Sequence, residues 1–340
     1  MSMKKEQFFP PVFDRIASWQ NLYQASVAAR KGTRPSRDSM EYFLNLEKEL
    51  TRLEDNLLNG SWQPGDYRYF DVFEPKKRQI AVAPFRDRVV HHAIVDVLTP
   101  YYERTFYEYS YACRKGKGTH RAIRYAQNSI VKYDWYLKMD IHKFFDSIDH
   151  QQLLQIIQRK WNDVPLIEVL TKIFDKGGTH GKGLPIGNLT SQFFANVYLN
   201  ELDNFVKRSL KVPDYVRYMD DFVIFSNDKA VLKDWKNRIQ SYLRDHLSLQ
   251  INPASTFLNH KVHGLGFCGA RIFPSLIRVR KPTLQRMINK IKQREWEYEN
   301  GYIDRQGLHA SIESLMGHLA AFNSKKLAIS FIRQHLRAWS

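Results

Sequence analysis

The string Tyr218-Met219-Asp220-Asp221 stands between two apolar runs, VRYM and FVIF. Two apolar strands that meet at an acidic pair form a hairpin whose turn projects the carboxylates, a costly arrangement unless cations neutralise them. A second acidic element comes earlier, in Tyr136-Leu137-Lys138-Met139-Asp140-Ile141-His142-Lys143-Phe144-Phe145-Asp146. There Asp140 ends an apolar strand, from which its carboxylate could meet the hairpin pair across a sheet. Phosphoryl transfer with two metal ions needs such a cluster: one ion activates an attacking 3′ hydroxyl and the other steadies the leaving pyrophosphate. Oxygen-only ligands suit Mg²⁺, with Mn²⁺ as a substitute. Taken singly, a Tyr-x-Asp-Asp string also arises by chance, and a lone Asp at a strand end is more often a turn or cap residue. The two elements in this order, with the segments around them, carry the inference.

Several elements must position these side chains. Apolar periodicity predicts helices over 12–30 and 38–59, two strands within 67–83 joined by a charged turn, and a helix over 85–98. Further helices are expected at 119–131, 150–160, 164–175, 190–210 and 229–247, with strands at 134–141, 214–219, 221–226, 262–268 and 276–280. From Pro282 onward the pattern reads as three helices rich in Lys, Arg and Trp. Strands and helices are mixed without the regular alternation of a doubly wound fold, so the expected class is mixed α/β, of the α+β kind.

Fifty-two Lys and Arg stand against 35 Asp and Glu, a formal charge of +17 spread along the chain. Such a field favours a polyanion, most simply nucleic acid, although a ribosome-associated or membrane-surface protein would show the same excess. An aromatic share of 14% adds rings that can stack on bases. Cys113 and Cys268 form no C-x-x-C pair, which argues against a zinc module or disulfide framework and for a reducing compartment. No apolar run is long enough to span a bilayer, and the expectation is a cytoplasmic protein of a bacterial, archaeal or phage-infected cell, with no membrane partner.

From about residue 66 to 274 the sequence resembles the reverse transcriptases of the bacterial, group II intron-like branch. The resemblance implies a right-hand polymerase: an N-terminal helical extension (1–65), fingers (66–134, with part of 150–185), palm (135–274) and a short helical thumb (275–340). It implies that Asp140 and Asp220 hold the metals with the Ile141 carbonyl in the shell, and that Asp221 is the adjacent catalytic carboxylate. Phe145 matches the aromatic gate against a ribose 2′ hydroxyl, which makes deoxynucleoside triphosphates the implied substrates. In Glu74-Pro75-Lys76-Lys77-Arg78-Gln79-Ile80, Lys76 and Arg78 fall on the basic positions of a hairpin that closes on the triphosphate. Phe267, Cys268 and Gly269 match the primer-grip turn. Where the family has a Lys-Thr pair, this chain has Ser255-Thr256, leaving Lys261 and His260 as candidate proton donors to pyrophosphate. His91 and His92 read as helix-packing or template-lining residues.

The segment Gly183-Leu184-Pro185-Ile186-Gly187-Asn188-Leu189-Thr190-Ser191-Gln192 narrows the resemblance. Most bacterial reverse transcriptases have Gln before this Gly and Ser-Pro at the end; Ile186 with Ser191-Gln192 resembles the enzymes of diversity-generating retroelements. Those copy a template-repeat RNA into adenine-mutated cDNA, which implies Ile186, Ser191 and Gln192 in template selectivity and Ile186 and Gly187 at the nucleotide. An isoleucine offers bulk without hydrogen bonds and discriminates base-pair geometry less well than an amide. The implied partners are template RNA, a DNA or RNA primer and a small basic oligomeric RNA-binding accessory protein, with Trp19, Trp296 or Trp339 as anchors if they are not core residues. After Pro274 the sequence leaves room for a short thumb and little else. Two other readings stand beside this one: a reverse transcriptase of antiphage defence or CRISPR adaptation, and a non-catalytic RNA-binding scaffold.

Overall fold

The computed structural model describes residues 11–31, 36–73, 77–320 and 322. The chain opens with α1 (Phe13–Ala17), α2 (Trp19–Arg30), α3 (Arg37–Leu44) and α4 (Leu46–Leu58). Periodicity predicts two long helices here, and each is interrupted. Ser18 takes ψ 140° and its side chain accepts the Asn21 N–H, so it ends α1 and caps α2. Asn45 leaves helical geometry and hands the chain to α4, whose buried stripe is Leu50, Leu53 and Leu57. Then β1 (Arg68–Phe73) pairs antiparallel with β2 (Lys77–Val82). The helix expected to stop at 98 runs on as α5 (Phe85–Glu103) with Pro100 inside its last turn, its first N–H held by the Asp38 carboxylate at 2.6 Å.

The middle of the chain contains α6 (Thr119–Lys132), β3 (Trp135–Asp140), α7 (Phe144–Ser147), α8 (His150–Gln158), α9 (Val164–Gly177) and α10 (Leu189–Asn204), the last continuing into a π turn over Phe205–Ser209. There follow β4 (Tyr215–Tyr218), β5 (Asp221–Ser226), α11 (Lys229–Leu247), β6 (Phe257–His260), β7 (Leu265–Phe267), β8 (Ala270–Ile272), β9 (Ile277–Val279), α12 (Lys281–Glu299) and α13 (Arg305–Ala320). The strand expected over 262–268 is shorter, because Lys261–His263 form a 3-10 turn, and β6 before it has no counterpart in the sequence reading. The third C-terminal helix lies outside the described residues. None of the described helices is long and apolar enough to cross a membrane.

Two compact units emerge, each assembled from separated stretches. The first takes the chain to Glu108, Ile141–Ser209 and Arg238–Asn252. It is helical apart from the β1–β2 hairpin, with α2 and α10 packed on α5, and Trp62, Trp161 and Phe194 are fully buried. The buried Asp163 carboxylate ties it together, accepting the N–H groups of Val12 and Phe13 while capping α9 through Leu166.

The second unit takes Tyr109–Asp140, Leu210–Asn237 and the chain from Pro253. Its antiparallel sheet runs β4-β5-β3-β6, beside a smaller sheet β7-β8-β9. Tyr136, Val216, Val223 and Phe225 of the larger sheet join Leu265, Phe267, Ala270 and Ile272 of the smaller one and the apolar stripe of α6 in one core. Helices α12 and α13 close on a core of their own around Ile291, Leu308, Ile312 and Leu319.

Candidate active site

Register brings the acidic elements together. Along β3 and β5, Trp135 opposes Ser226 and the ladder ends with Asp140 opposite Asp221. Directly opposed residues of an antiparallel pair project to one face, so the two carboxylates share it. Tyr218 pairs with Asp221 across β4 and β5, which leaves Met219 and Asp220 as a two-residue turn. Met219 sits at φ 56°, a left-handed value that costs an L-residue on the order of 1–2 kcal/mol. Its carbonyl accepts Nη1 of Arg217 at 3.1 Å, and Arg217 is fully buried. The turn that carries Asp220 is thus fastened from below by a buried guanidinium.

On the same face, two residues before Asp140, Lys138 places Nζ 3.0 Å from Asp221 Oδ2, with both side chains largely shielded. Asp221 Oδ1 is buried without a hydrogen-bond partner. Burial drives the Asp221 carboxyl up to about 7; the charge and hydrogen bond of Lys138 oppose the rise, and Asp140 and Asp220 add to it. The β7–β8 turn reaches the same place. Cys268 and Gly269 have φ 47° and 78°, as a two-residue hairpin of type I′ requires. Burial first, then Asp221, push the Cys268 thiol well above its ordinary range, with Lys138 acting against them.

Among the described residues no three His, Cys, Asp or Glu side chains enclose an ion by themselves. The donor chemistry nevertheless fits a hard divalent cation: the donors are carboxylate oxygens, one oxygen of Asp221 is buried and unpaired, and the charges of Asp140 and Asp220 penalise that of Asp221. Such an ion completes its shell from water and phosphate oxygens rather than from a closed protein cage.

Several other sequence candidates lie in the first unit. The Ala81 N–H donates to the Ile186 carbonyl at 2.8 Å, stitching the segment before α10 onto β2, the strand that carries the exposed Arg78. Gly187, at φ 118°, packs so closely that a Cβ there would meet Ile80 Cγ2 at 2.7 Å and the Ala81 carbonyl at 2.8 Å. Phe145, half-buried and edge-on to Phe144, gives its carbonyl to the Leu184 N–H at 2.8 Å. Ser191 is buried and Gln192 partly so on the first turn of α10. Ile141 is fully buried and bridges to Ile251. Beside Gly187, a cavity of about 310 Å³ is lined by Arg88, His91, His92 and Asn188. Burial, then His92 and Arg88, hold His91 down to about 3 and therefore neutral. Lys76 lies outside the described residues.

With these parts in place, comparison with known proteins decides the family: residues 72–271, more than half of the chain, match the family described as reverse transcriptase (RNA-dependent DNA polymerase). The chain belongs to the reverse transcriptase family. Its enzyme class is RNA-directed DNA polymerase, a nucleotidyltransferase. Protein YkfC of Escherichia coli (strain K12) is 26% identical over 67% of this chain and 72% of its own length. The group II intron-encoded protein LtrA of Lactococcus lactis subsp. cremoris is 22% identical over 82% of this chain, which spans 57% of that protein. Telomerase from Candida tropicalis with a fragment of telomeric RNA is 13% identical, with a TM-score of 0.47, covering 81% of this chain and 58% of the other.

Within this reverse transcriptase, the structure adds two residues that the sequence reading missed. Lys138 stands between apolar neighbours in the sequence, and only the period of two, counted back from Asp140, puts it on the acidic face. Arg217 was hidden by an apolar context that gave no sign of a buried charge. The structure also removes two candidates. His260 pairs with Trp135 at the opposite end of β3 from Asp140, and Lys261 is bound to Asp134 at 2.8 Å. Five residues of strand separate them from the carboxylates, roughly 16 Å, so neither is the proton donor. Trp19 and Trp296 are surface residues, stacked on Tyr23 and Tyr302; Trp339 lies outside the described residues.

Proposed function

We propose that this reverse transcriptase copies a template-repeat RNA into cDNA with misincorporation opposite adenine, as the enzymes of diversity-generating retroelements do. The observation that carries the reading is Ile186: a partly exposed apolar side chain, in the position where the family resemblance expects glutamine, on a backbone fastened to β2. An amide there could hydrogen-bond and so sense pairing geometry; an isoleucine can only fill space. Ser191 and Gln192 support the same reading as the next residues of that segment to depart from the usual pattern.

In this scheme Asp140 and Asp220 hold Mg²⁺, with the Ile141 carbonyl in the shell and Asp221 as the supporting carboxylate. Bound there, the ions would activate the primer 3′ hydroxyl and neutralise charge on the departing pyrophosphate. Lys138 keeps one oxygen of Asp221 engaged and orients the other. Arg78, with Lys76, grips the triphosphate of the incoming deoxynucleotide, Phe145 rejects a 2′ hydroxyl, and Gly187 lets backbone approach the nucleotide. Phe267, Cys268 and Gly269 hold the primer end. The β1–β2 hairpin belongs to the fingers, the β4-β5-β3-β6 sheet to the palm, and α12 and α13 to the thumb. Template RNA, a DNA or RNA primer and a small basic oligomeric accessory protein are the partners, in the cytoplasm.

The test is primer extension on template RNA with Mg²⁺, followed by sequencing of the cDNA. Wild-type product should carry substitutions concentrated opposite adenine, and Ile186→Gln should reduce them roughly tenfold while extension continues. An unchanged error spectrum in the variant would remove the basis of this reading.

A further inference from the structure

In the first unit, the C-terminal ends of α5 and α8 and the flank of α10 border an open cavity of about 850 Å³, lined by Tyr101, Tyr102, Arg104, Arg159 and Lys160, together with Ile156 and Val197. Arg159 is neutralised by Glu201 at 2.9 Å. Lys160 donates to the Tyr101 carbonyl at 2.8 Å and stands 4.2 Å from the centre of the Tyr102 ring. Burial, then the charge of Arg104, hold the Lys160 ammonium down to about 8. A cation at a helix C-terminus is ordinary, since it meets the carbonyl end of the dipole. That account explains each cation separately but not why Arg104 and Lys160 line one and the same cavity. Two cations lining one cavity beside aromatic and aliphatic side chains match an anion attached to a flat apolar body.

We infer that this cavity binds a phosphate-bearing ligand, its phosphate on Arg104 and Lys160 and its base against the half-buried Tyr101: a nucleotide, either free or as one unit of an RNA strand. The carboxylates that mark the polymerase site belong to the other unit and take no part.

Lys160 is its own reporter. The full-length protein is acetylated with acetic anhydride at a pH near 8, where about half of the amine is free, and labelling of Lys160 is followed by peptide mass spectrometry. The probes are adenosine 5′-monophosphate, a short single-stranded RNA and adenosine. A phosphate-bearing probe should slow Lys160 labelling about tenfold, and adenosine should not. Protection by the mononucleotide supports a free nucleotide as ligand, and protection by RNA alone supports a strand. Arg104→Gln, a change at an exposed residue, should abolish protection, whereas Asp220→Asn should leave it intact. Absence of protection by both phosphate probes, protection by adenosine, full protection in Arg104→Gln, or its loss in Asp220→Asn would each overturn the assignment.

Discussion

At the scale of single residues, the acidic row is held in a state that favours a cation. Asp221 has one oxygen on Lys138, one buried and unpaired, and two carboxylates nearby. Removing the lysine while keeping its bulk, as in Lys138→Met, leaves Asp221 without its countercharge. Primer-extension kcat should fall about tenfold or more, and the acid limb of its pH profile should move to higher pH; Lys138→Arg should recover part of both. The same environment fixes a stability effect. Asp221 titrates at about 7 in the fold against an ordinary 3.8, so the folded chain keeps a proton that the unfolded chain has lost. The stability that Asp221 contributes is therefore fully present below its ordinary 3.8 and is lost as pH rises towards 7. His91, held down to about 3, acts in the opposite sense over an overlapping range, so the effect is isolated by difference. In chelator, Asp221→Asn should melt higher than wild type by a margin that grows as pH rises towards 7, and added Mg²⁺ should narrow it. A constant margin would mean that Asp221 is not the titrating group.

At the scale of elements, local pattern and register contribute differently. The β4–β5 hairpin, β3 and α11 were legible because apolar runs, an acidic turn and helical spacing are properties of neighbouring residues. Strand β6 was not: FLNH has one strongly apolar pair and no alternation, and it becomes a strand because β3 offers it an edge. Ser18 and Asn45 broke helices whose apolar spacing continues through them, since a side chain that bonds its own backbone competes with the helix. The positions of Lys138, His260 and Lys261 relative to Asp140 follow from register alone, so spacing along the sequence does not show which lysine faces the carboxylates. Gly187 illustrates the complementary case, in which a glycine read as functional is also required by packing. Gly187→Ala would drive a Cβ into Ile80 and the Ala81 carbonyl at φ 118°. It should destabilise the protein by about 1–3 kcal/mol in denaturant titration. Gly116→Ala, also at positive φ but with only the end of the Arg121 side chain 4.0 Å away, should cost less.

At the scale of the whole molecule, the acidic row is built by one compact unit and the Ile186 segment by the other. No local pattern announces that partition, because each unit gathers stretches far apart in the chain. The net charge of +17 was legible directly, and it suits both roles that a reverse transcriptase fold could serve, so the carboxylates are what separate them. An RNA-binding scaffold needs the basic surface alone; a polymerase needs it together with the carboxylates. Binding driven by that surface releases counterions, so RNA affinity should fall at least tenfold, roughly, between low and physiological salt. The Asp220→Ala/Asp221→Ala protein should bind RNA as tightly as wild type, or slightly more tightly because two negative charges are gone, with the same salt slope. Its primer extension should fall about a thousandfold or more, since residues that act as a unit fail together. If extension survived the double substitution, the acidic row would be a structural feature of the turn and not its chemistry. If binding and extension were lost in proportion, with the melting transition lowered, the carboxylates would be holding the second unit together rather than serving the reaction.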